Sequence, residues 1–419
     1  MLRRITLKSL WNRRLAVSLT IAAIALSTAL ILAVERVRME TRASFTNTIA
    51  GTDLIVGART SPIQLLLYSV FGLGDPTNNV SWDSFEKISA HPSVAWSIPI
   101  SLGDSHRGFR VLGTTRAYFE HLRFGNDRQL ALSNGDLSDE PLAVVLGATV
   151  ARQLGYSIGT GIVIAHGTRD DGLSGHDNLP FTVTGILAAT GTPADRTVYV
   201  SLEGIEAIHT GWESGIPVAG ETLHADHLHE ADLHSEVITA FFLGLEQRPQ
   251  VLQFQRAINN FPEEPLLAIL PGNALTELWQ LFGNAELALV VVAAMTVVTG
   301  LLGMVVGIFS TLNERRREMA IMRSVGARPG DIFTLLMAES ALIGVIGAAS
   351  GFLVLTAAAL TAAATIGDSM GVSLSAGMPS GRELLLLGAV VIAAIAAGAL
   401  PAWHAYRLSL HDGLSARGG

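Results

Sequence analysis

The densest group of chemically active side chains in this sequence lies between residues 221 and 236. Imidazoles and carboxylates alternate there, and both are ligand types that Zn²⁺, Cu²⁺ and Ni²⁺ accept. The candidate metal ligands are four histidines within eleven residues: His224, His227, His229 and His234. His209, in a preceding predicted helix, is a further candidate. No spacing here defines a coordination geometry, so two interpretations stay open. The tract is either a zinc-binding surface loop or a solvated acidic loop whose histidines have no role.

Two motifs of common hydrolytic enzymes are missing from the sequence. A Walker A loop needs a lysine after a glycine-rich turn to reach nucleotide phosphates. The two lysines, Lys8 and Lys87, follow no such turn. The H-E-x-x-H helix of zinc proteases is missing too, because His229 and His234 are five residues apart, which turns the second imidazole about 140° away on a helix. The chain has no cysteine, which removes thiolate and disulfide chemistry. We therefore predict that it is not an enzyme and that the only cofactor to consider in it is the metal above.

A second segment, residues 313–331, combines charged side chains, apolar side chains and a helix stop. Glu314 and Arg317 are three residues apart, a spacing at which side chains of a helix are neighbours and an ion pair supports the helix. Gly326 fits a helix C-terminus, and Pro329 with the following glycine closes the turn before the next helix. A cytoplasmic loop that only fixed the membrane orientation would need arginines and no acidic or apolar residues. The combination of all three in this segment therefore indicates a role beyond orientation.

The histidine tract and residues 313–331 lie between apolar segments of the chain. There are four such segments, and each is long enough to cross a membrane. A helix needs about 20 apolar residues to span a hydrocarbon core about 30 Å thick. The predicted membrane helices are residues 15–34, 287–312, 332–366 and 384–403. Glycines at short spacings in the second and third of them favour close helix packing, namely Gly300, Gly303, Gly307, Gly347 and Gly351. A cleaved signal peptide is the alternative for the first segment, but its apolar run is longer than usual and no A-x-A-like site follows directly.

The basic residues orient these helices. Arginine and lysine are enriched in cytoplasmic loops, and here they concentrate in residues 1–14, 313–331 and 404–419. We predict that these segments, including both termini, are cytoplasmic and that residues 35–286 and the short loop 367–383 lie outside. Residues 35–286 carry 15 basic and 29 acidic side chains, a net charge of −14, whereas the rest of the chain has a net charge of +6. Such an acidic domain argues against nucleic-acid binding.

The large outer segment is predicted to be an α+β domain. Apolar alternation bounded by turn signals indicates short strands, and Ser81 is placed to cap a helix. Predicted strands are residues 94–100, 109–113, 144–146, 162–165, 181–187, 197–200, 237–245 and 266–270. Predicted helices begin at Trp82, Ala148, Leu202 and Pro271, the last continuing into the second span. The fold class is therefore an α-helical membrane domain of four transmembrane helices plus an α+β periplasmic domain inserted between the first and second spans.

Residues 313–331 resemble the coupling segment of the FtsX/MacB-type permeases of ABC transporters. The family pattern is roughly E-R-x-x-E-[IM]-[GA]-[IL]-x-[RK]-[AS]-[IVL]-G-A. The residues that match it are Glu314, Glu318, Ala320, Ile321, Arg323, Gly326 and Ala327. Residues 9–14, 144–147 and 181–187, and Glu339 with the spaced glycines after it, are also similar to the family. Leu410 departs from the pattern, because the family usually has proline there.

The resemblance implies a permease subunit that works with a separate ABC ATPase, which holds ATP and Mg²⁺. The residues it places at the ATPase are Glu314, Arg317, Glu318, Ile321, Arg323, Gly326 and Ala327. It also implies a second permease subunit, identical or paralogous, membrane lipids around both, and a periplasmic adaptor or lipoprotein. The location it implies is the bacterial inner membrane.

Three functions remain to be distinguished. The first is a MacB-like or lipoprotein-release-like permease, in which ATP hydrolysis moves the periplasmic domain to export or extract a substrate. If the histidine tract binds zinc, that substrate is metal-linked. The second is an FtsX-like signalling subunit that regulates a periplasmic enzyme, and the third is a metal-sensing membrane protein. The roughly 250 residues of the outer domain favour the first. The sequence does not name a substrate.

Overall fold

The computed structural model describes residues 14–48, 50–125, 127–166, 179–210, 233–365 and 377–407. The chain forms two compact units. The helical unit comprises Met1–Glu40, Gly283–Ile366 and Leu374–Gly419. The α+β unit comprises Thr41–Phe282 and Gly367–Ser373.

Short strands and helices lie between the first long helix and the three long helices at the end of the described chain. The elements are α1 (Arg14–Asn47), β1 (Leu54–Ala58), α2 (Pro62–Phe71), β2 (Val80–Ser81), α3 (Trp82–Ser89), β3 (Val94–His106), β4 (Phe109–Thr114), α4 (Ala117–His121), β5 (Arg123–Phe124), β6 (Arg128–Gln129), β7 (Leu132–Gly135), β8 (Ala143–Leu146), α5 (Ala148–Leu154), β9 (Gly161–Ile162), β10 (Ala165–His166), β11 (Phe181–Leu187), β12 (Thr197–Ser201), α6 (Leu202–His209), β13 (Val237–Ile238), β14 (Ala240–Leu245), α7 (Val251–Asn259), β15 (Leu266–Ile269), α8 (Pro271–Ser324), α9 (Pro329–Thr365) and α10 (Gly381–Arg407).

Four of the described helices are long and apolar enough to cross a membrane. The candidate spans are Val17–Arg42, Pro271–Ser310, Pro329–Thr361 and Gly381–Arg407. They contain most of the predicted apolar segments and extend beyond several of them, since arginine and glutamate are good helix formers and do not end a helix. Helix α8 is the clearest case, because its 54 residues run without a break through the apolar segment to Ser324.

Glycines allow close packing against α1 in the helical unit. A Cβ placed on Gly300 would lie 3.1 Å from Ser27 Oγ, and one on Gly351 would lie 2.5 Å from Ala25 O. The other glycines that face α1 are Gly307 and Gly347. Gly303 differs, because a Cβ there would meet nothing within 4 Å. The sequence-based prediction that small residues bring the helices together therefore applies to four of the five glycines.

Ion pairs connect α1 with α8 and with α10 in the same unit. They are Arg36–Glu383, Arg38–Glu286 and Arg382–Glu35, and Arg38–Glu35 is a further pair within α1. The Arg36–Glu383 pair is the most buried, with 7% and 4% of the side chains exposed and 2.8 Å between Nε and Oε1. Glu383 also accepts a hydrogen bond from the backbone N–H of Ser380, which caps α10. The pair therefore joins α1 to the first turn of α10.

The α+β unit is built on an eleven-stranded mixed sheet. The strand order is β15-β1-β14-β3-β4-β12-β8-β11-β7, with β10 on β3 and β9 on β11. Most neighbours are antiparallel, whereas β12 runs parallel to β4 and β11 runs parallel to β8. Short helices pack against this sheet. The domain is thus α+β, as predicted from its short segments of both strand and helix pattern.

Local sequence patterns predicted the bounds of several elements of this domain correctly. Helices α5 and α6 and strand β11 begin and end where the apolar pattern predicts them. Ser81 caps α3, since its Oγ accepts a hydrogen bond from Ser84 N. The predicted strand at 237–245 is divided into β13 and β14, and β1, α2, α4, β7 and α7 are among the elements that were not predicted. Strand β1 is buried along its whole length, so that it shows no polar alternation.

An aromatic cluster occupies the core below α4. The rings of Tyr118 and Tyr199 lie 5.2 Å apart, and Phe119 packs edge-on against Tyr199. Burial raises the pKa of Tyr118 to about 12 and that of Tyr199 well above its ordinary value. Burial likewise raises the pKa of Tyr68, on α2, to about 12. These phenols are held in their neutral form by the core.

Candidate functional site

The predicted coupling segment is the last part of α8 and the turn that follows it. Residues 313–324 continue the helix that carries the second apolar segment. They are therefore not a separate short helix. The backbone of Glu314, Arg317 and Glu318 is helical, and the side chains of residues 313–318 lie outside the described part of the chain.

Helix α8 ends in a glycine turn of the Schellman type. Gly326 has φ +103°, a conformation that residues with a Cβ adopt only with strain. Its N–H donates to Arg323 O, and the N–H of Ala327 donates to Met322 O, at 3.1 and 3.0 Å. These two bonds satisfy carbonyls that a helix end otherwise leaves unpaired. The prediction that Gly326 stops this helix agrees with the geometry.

Helix α9 starts three residues after this glycine. Pro329 is its first residue, a position where the missing N–H costs nothing. The carboxylate of Asp331 accepts a hydrogen bond from Arg328 N at 2.8 Å, which satisfies a backbone donor at the helix start. The turn between the two helices is therefore short and hydrogen-bonded at both ends.

The end of α8 has a buried face and an exposed apolar face. Met319 is buried in an apolar cluster with residues of the other helices of the unit, and Ala320 beside it is buried too. Ile321 and Val325, four residues apart, are 53% and 84% exposed. Residues at this spacing lie in one row on a helix, and the same row passes through positions 314 and 318. The structure therefore presents an apolar ridge, Ile321 and Val325, beside the glycine turn.

The seven predicted docking residues do not share one face. Ile321 is exposed on the ridge, Gly326 is exposed at the turn and Ala327 is half-buried. Arg323 lies two positions after Ile321, which is about 200° around the helix, and is half-buried. Val325 was not predicted, although its spacing from Ile321 was a signal that could have identified it.

Most of the predicted metal tract falls outside the described residues. His224, His227 and His229 are not among them, so the metal prediction stays untested there. His234 is described and exposed, and its ring packs edge-on against Trp82 at 5.0 Å. Within the described ranges, no group of three or more histidine, aspartate or glutamate side chains is arranged to hold a metal ion.

His209, the further candidate ligand, pairs with a carboxylate instead. Its Nε2 lies 3.6 Å from Oδ1 of the buried Asp104. Burial lowers the pKa of His209, but the hydrogen bond and charge of Asp104, with the charge of Glu206, outweigh burial and raise it. Protonation of His209 would compete with metal binding, since a metal requires the neutral ring.

One serine-hydrolase pattern occurs in the sequence and also falls outside the described residues. Residues 367–371 read G-D-S-M-G, which matches G-x-S-x-G. In hydrolases this motif follows a strand, whereas the described residues that precede it here form α9. The string therefore lacks the context that would make it a nucleophile elbow.

Two family models match the chain. Residues 17–222 match the MacB-like periplasmic core domain, and residues 290–410 match the FtsX-like permease C-terminal region. The second match includes the ridge and the glycine turn.

Curated relatives are similar over parts of the chain. The macrolide export ATP-binding/permease protein MacB of Nitrobacter winogradskyi is 26% identical over 281 residues, which are 65% of this chain and 38% of that protein. The pyoverdine export ATP-binding/permease protein PvdT of Pseudomonas aeruginosa is 24% identical over 180 residues, which are 42% of this chain and 25% of that protein. The chain thus spans less than two fifths of the length of these relatives.

Two solved structures are also similar to part of the chain. The periplasmic region of MacB from Actinobacillus actinomycetemcomitans covers 55% of this chain and 94% of its own, at 9% identity and a TM-score of 0.34. The extracellular domain of the transporter YknZ from Gram-positive bacteria covers 52% of this chain and 98% of its own, at 11% identity and a TM-score of 0.30.

Proposed function

The chain belongs to the FtsX/MacB-type permeases of ABC transporters, and we propose that it is the permease subunit of an ATP-driven transporter in the bacterial inner membrane. In this proposal the α+β unit is inserted between the first and second spans and lies in the periplasm, while both termini and the turn after α8 lie in the cytoplasm. The four apolar helices and the match to a periplasmic core domain support this arrangement.

ATP hydrolysis is assigned in this proposal to a separate ABC ATPase. The curated relatives are named ATP-binding/permease proteins. In this chain no lysine follows a glycine-rich loop, so that a Walker A site is missing from its 419 residues. The ATP-binding function would then come from a partner that carries the nucleotide and Mg²⁺.

The observation that carries the proposal is the exposed ridge of Ile321 and Val325 at the end of α8. Apolar side chains with this exposure gain free energy when a partner covers them. The buried Met319 and Ala320 hold the ridge in a fixed orientation. The Schellman turn at Gly326 leaves open space beside it. We assign this surface to the ATPase.

Movement of the ridge would be carried by α8 itself. The helix continues from the turn through the apolar segment to Pro271 with no proline inside it, so a displacement at one end has no break at which to be absorbed. This continuity supports mechanical coupling between ATP hydrolysis and the periplasmic unit, for export or extraction of a substrate.

The remaining partners are further parts of the proposal. A second permease subunit, identical or paralogous, would pair with this chain, and a periplasmic adaptor or lipoprotein would meet the outer domain. The match to the MacB-like core domain supports the export function over an FtsX-like signalling role.

Replacement of both ridge residues tests the coupling assignment. The chain is co-expressed with an ABC ATPase encoded beside its gene, and co-purification and the rate of ATP hydrolysis are measured. We expect Ile321→Asp/Val325→Asp to lower both at least tenfold, because two carboxylates would be buried in an apolar contact.

Ile321→Leu/Val325→Leu is the matched control, since it keeps the ridge apolar, and it should retain both quantities. Unchanged co-purification and hydrolysis in the aspartate variant, with normal insertion of the permease, would show that the ridge is not the docking surface.

A further inference from the structure

The α+β unit contains a cavity of about 560 Å³ that is open on one side and is separate from the proposed coupling surface. Its walls come from α2, β3, β4, α4 and the turn before β12, all within one compact unit. Small-molecule sites in proteins are typically about 300–1,000 Å³ in volume. The cavity therefore has the size of a ligand site.

Aromatic side chains contribute a large part of the cavity's apolar surface. Six of them line it: Tyr68, Phe71, Phe109, Tyr118, Phe124 and Phe242. All but Phe71 are buried, and leucines of β3 and β4 are among the other lining residues. An apolar body of matching size would cover this surface and remove its apolar area from water.

The charged residues of the wall are both arginines. Arg110 and Arg196 line the cavity, and no aspartate or glutamate is among the described residues that line it. Arg196 lies over the ring of Phe109, with 5.2 Å between its guanidinium carbon and the ring centre. The cavity therefore combines an apolar surface with positive charge, which complements an anion attached to an apolar body.

Arg110 retains hydrogen-bonding capacity for such an anion. Its side chain is 19% exposed, and Nη2 donates to Gly74 O and, at 2.9 Å, to Asp75 Oδ1. Its Nε and Nη1 have no hydrogen-bond partner among the residues that the structure describes. A guanidinium has five N–H donors, and carboxylates and phosphates accept them in pairs.

Asp75 holds Arg110 only weakly. Its side chain is 78% exposed, and exposed ion pairs contribute about 0–1 kcal/mol because water and salt screen them. A ligand anion that reaches Arg110 from the cavity therefore competes with a weak partner, or adds to it through the donors on Nε and Nη1.

We propose that this cavity binds a single-chain anionic amphiphile, with the chain among the aromatic side chains and a carboxylate or phosphate at Arg110. This inference goes beyond the proposed function, because binding requires the α+β unit of this chain and no ATPase. A negative result in the ridge experiment would not affect the cavity proposal, and a negative result in the cavity experiment would not affect the coupling proposal.

Calorimetric titration of the full chain tests the proposal. The chain is reconstituted in nanodiscs of phosphatidylcholine, with heats from empty nanodiscs subtracted, and decanoate, decyl phosphate and uncharged decanol are the probes. We expect one anion-binding site per chain. Arg110→Gln should weaken binding of the anions at least tenfold and leave decanol unchanged, since only the charge-assisted bonds are lost. If only one of the two anions loses affinity, that anion identifies the head group.

Two further variants complete the experiment. Val70→Trp, on the α2 wall, should abolish binding of all three probes by filling the space. Arg59→Gln is the matched control, because Arg59 belongs to the same unit, donates to Asn259 O and does not line the cavity. Equal anion binding by wild type and Arg110→Gln, or retained binding by Val70→Trp, would overturn the proposal.

Discussion

At the scale of single residues, the stability of the fold depends on the charge pairing of Arg36 with Glu383. Its two charges are 2.8 Å apart and almost fully buried. Removing one partner of such a pair costs about 3–5 kcal/mol, because the other charge stays buried without it. We therefore expect Arg36→Met to lower the thermal unfolding temperature strongly in detergent, measured by intrinsic fluorescence.

The double variant Arg36→Met/Glu383→Gln is the matched comparison. It removes both charges and keeps an amide oxygen for the N–H of Ser380. It should recover most of the loss, since a buried neutral pair has no uncompensated charge. A double variant as unstable as Arg36→Met would contradict the view that the lone carboxylate causes the loss.

The raised pKa of Tyr118 is expected to make the stability of the α+β unit depend on pH in the alkaline range. Burial raises its pKa to about 12 in the folded state, whereas an unfolded tyrosine has a pKa of about 10. The folded state therefore holds the phenol proton more tightly. This contribution, about 3 kcal/mol, is fully present below pH 10 and is lost as the pH rises from about 10 to about 12.

Unfolding temperatures at pH 8 and pH 11.5 measure this effect. Tyr118→Phe has no phenol to ionise, so its unfolding temperature should fall less between the two pH values than that of the wild type. An equal fall in both proteins would mean that Tyr118 does not cause the alkaline loss.

At the scale of elements, the contact between α1 and α9 depends on a missing side chain at Gly351. A Cβ there would lie 2.5 Å from Ala25 O and 2.7 Å from Thr28 Cβ, both on α1. Gly351→Ala must separate the two helices, and overpacking of this kind costs about 1–3 kcal/mol. We expect a lower unfolding temperature of the purified chain.

Gly303→Ala is the control for this element, because a Cβ on Gly303 meets nothing within 4 Å. Alanine is also the better helix former, by about 1 kcal/mol in soluble helices. It should leave the unfolding temperature unchanged or raise it. Equal destabilisation by the two substitutions would show that the α1–α9 contact at Gly351 does not set the cost.

At the scale of the whole molecule, the distribution of arginine predicts the membrane topology. Residues 35–286 are expected outside and residues 313–331 inside. Asn78 and Ser324 are exposed in their respective segments, and the chain has no native cysteine. Asn78→Cys should react with an impermeant thiol reagent in intact spheroplasts, and Ser324→Cys only after the membrane is opened. Reaction of Ser324→Cys in intact spheroplasts would reverse the assigned orientation.

The sequence by itself determined the features that depend on neighbours along the chain. Apolar runs of about 20 residues predict membrane helices whatever they pack against. The stop at Gly326 was readable because a glycine at φ +103° satisfies local carbonyls. Helix α5 and strand β11 were predicted from their own patterns. The histidine tract was likewise identified from residues that are neighbours along the chain. Metal binding by the tract remains a prediction, because His224, His227 and His229 lie outside the residues that the structure describes.

Only the tertiary structure decided the features that depend on distant residues. Arg36 and Glu383 are 347 positions apart, and no local pattern pairs them. Val325 became part of the ridge because burial of Met319 and Ala320 among other helices sets which side of α8 remains exposed. The cavity at Arg110 likewise arises from separate helices, strands and turns of the domain. The physical reason is the same in each case: burial and charge pairing depend on which side chains meet in space, and a linear pattern specifies only which residues can form a helix or a strand.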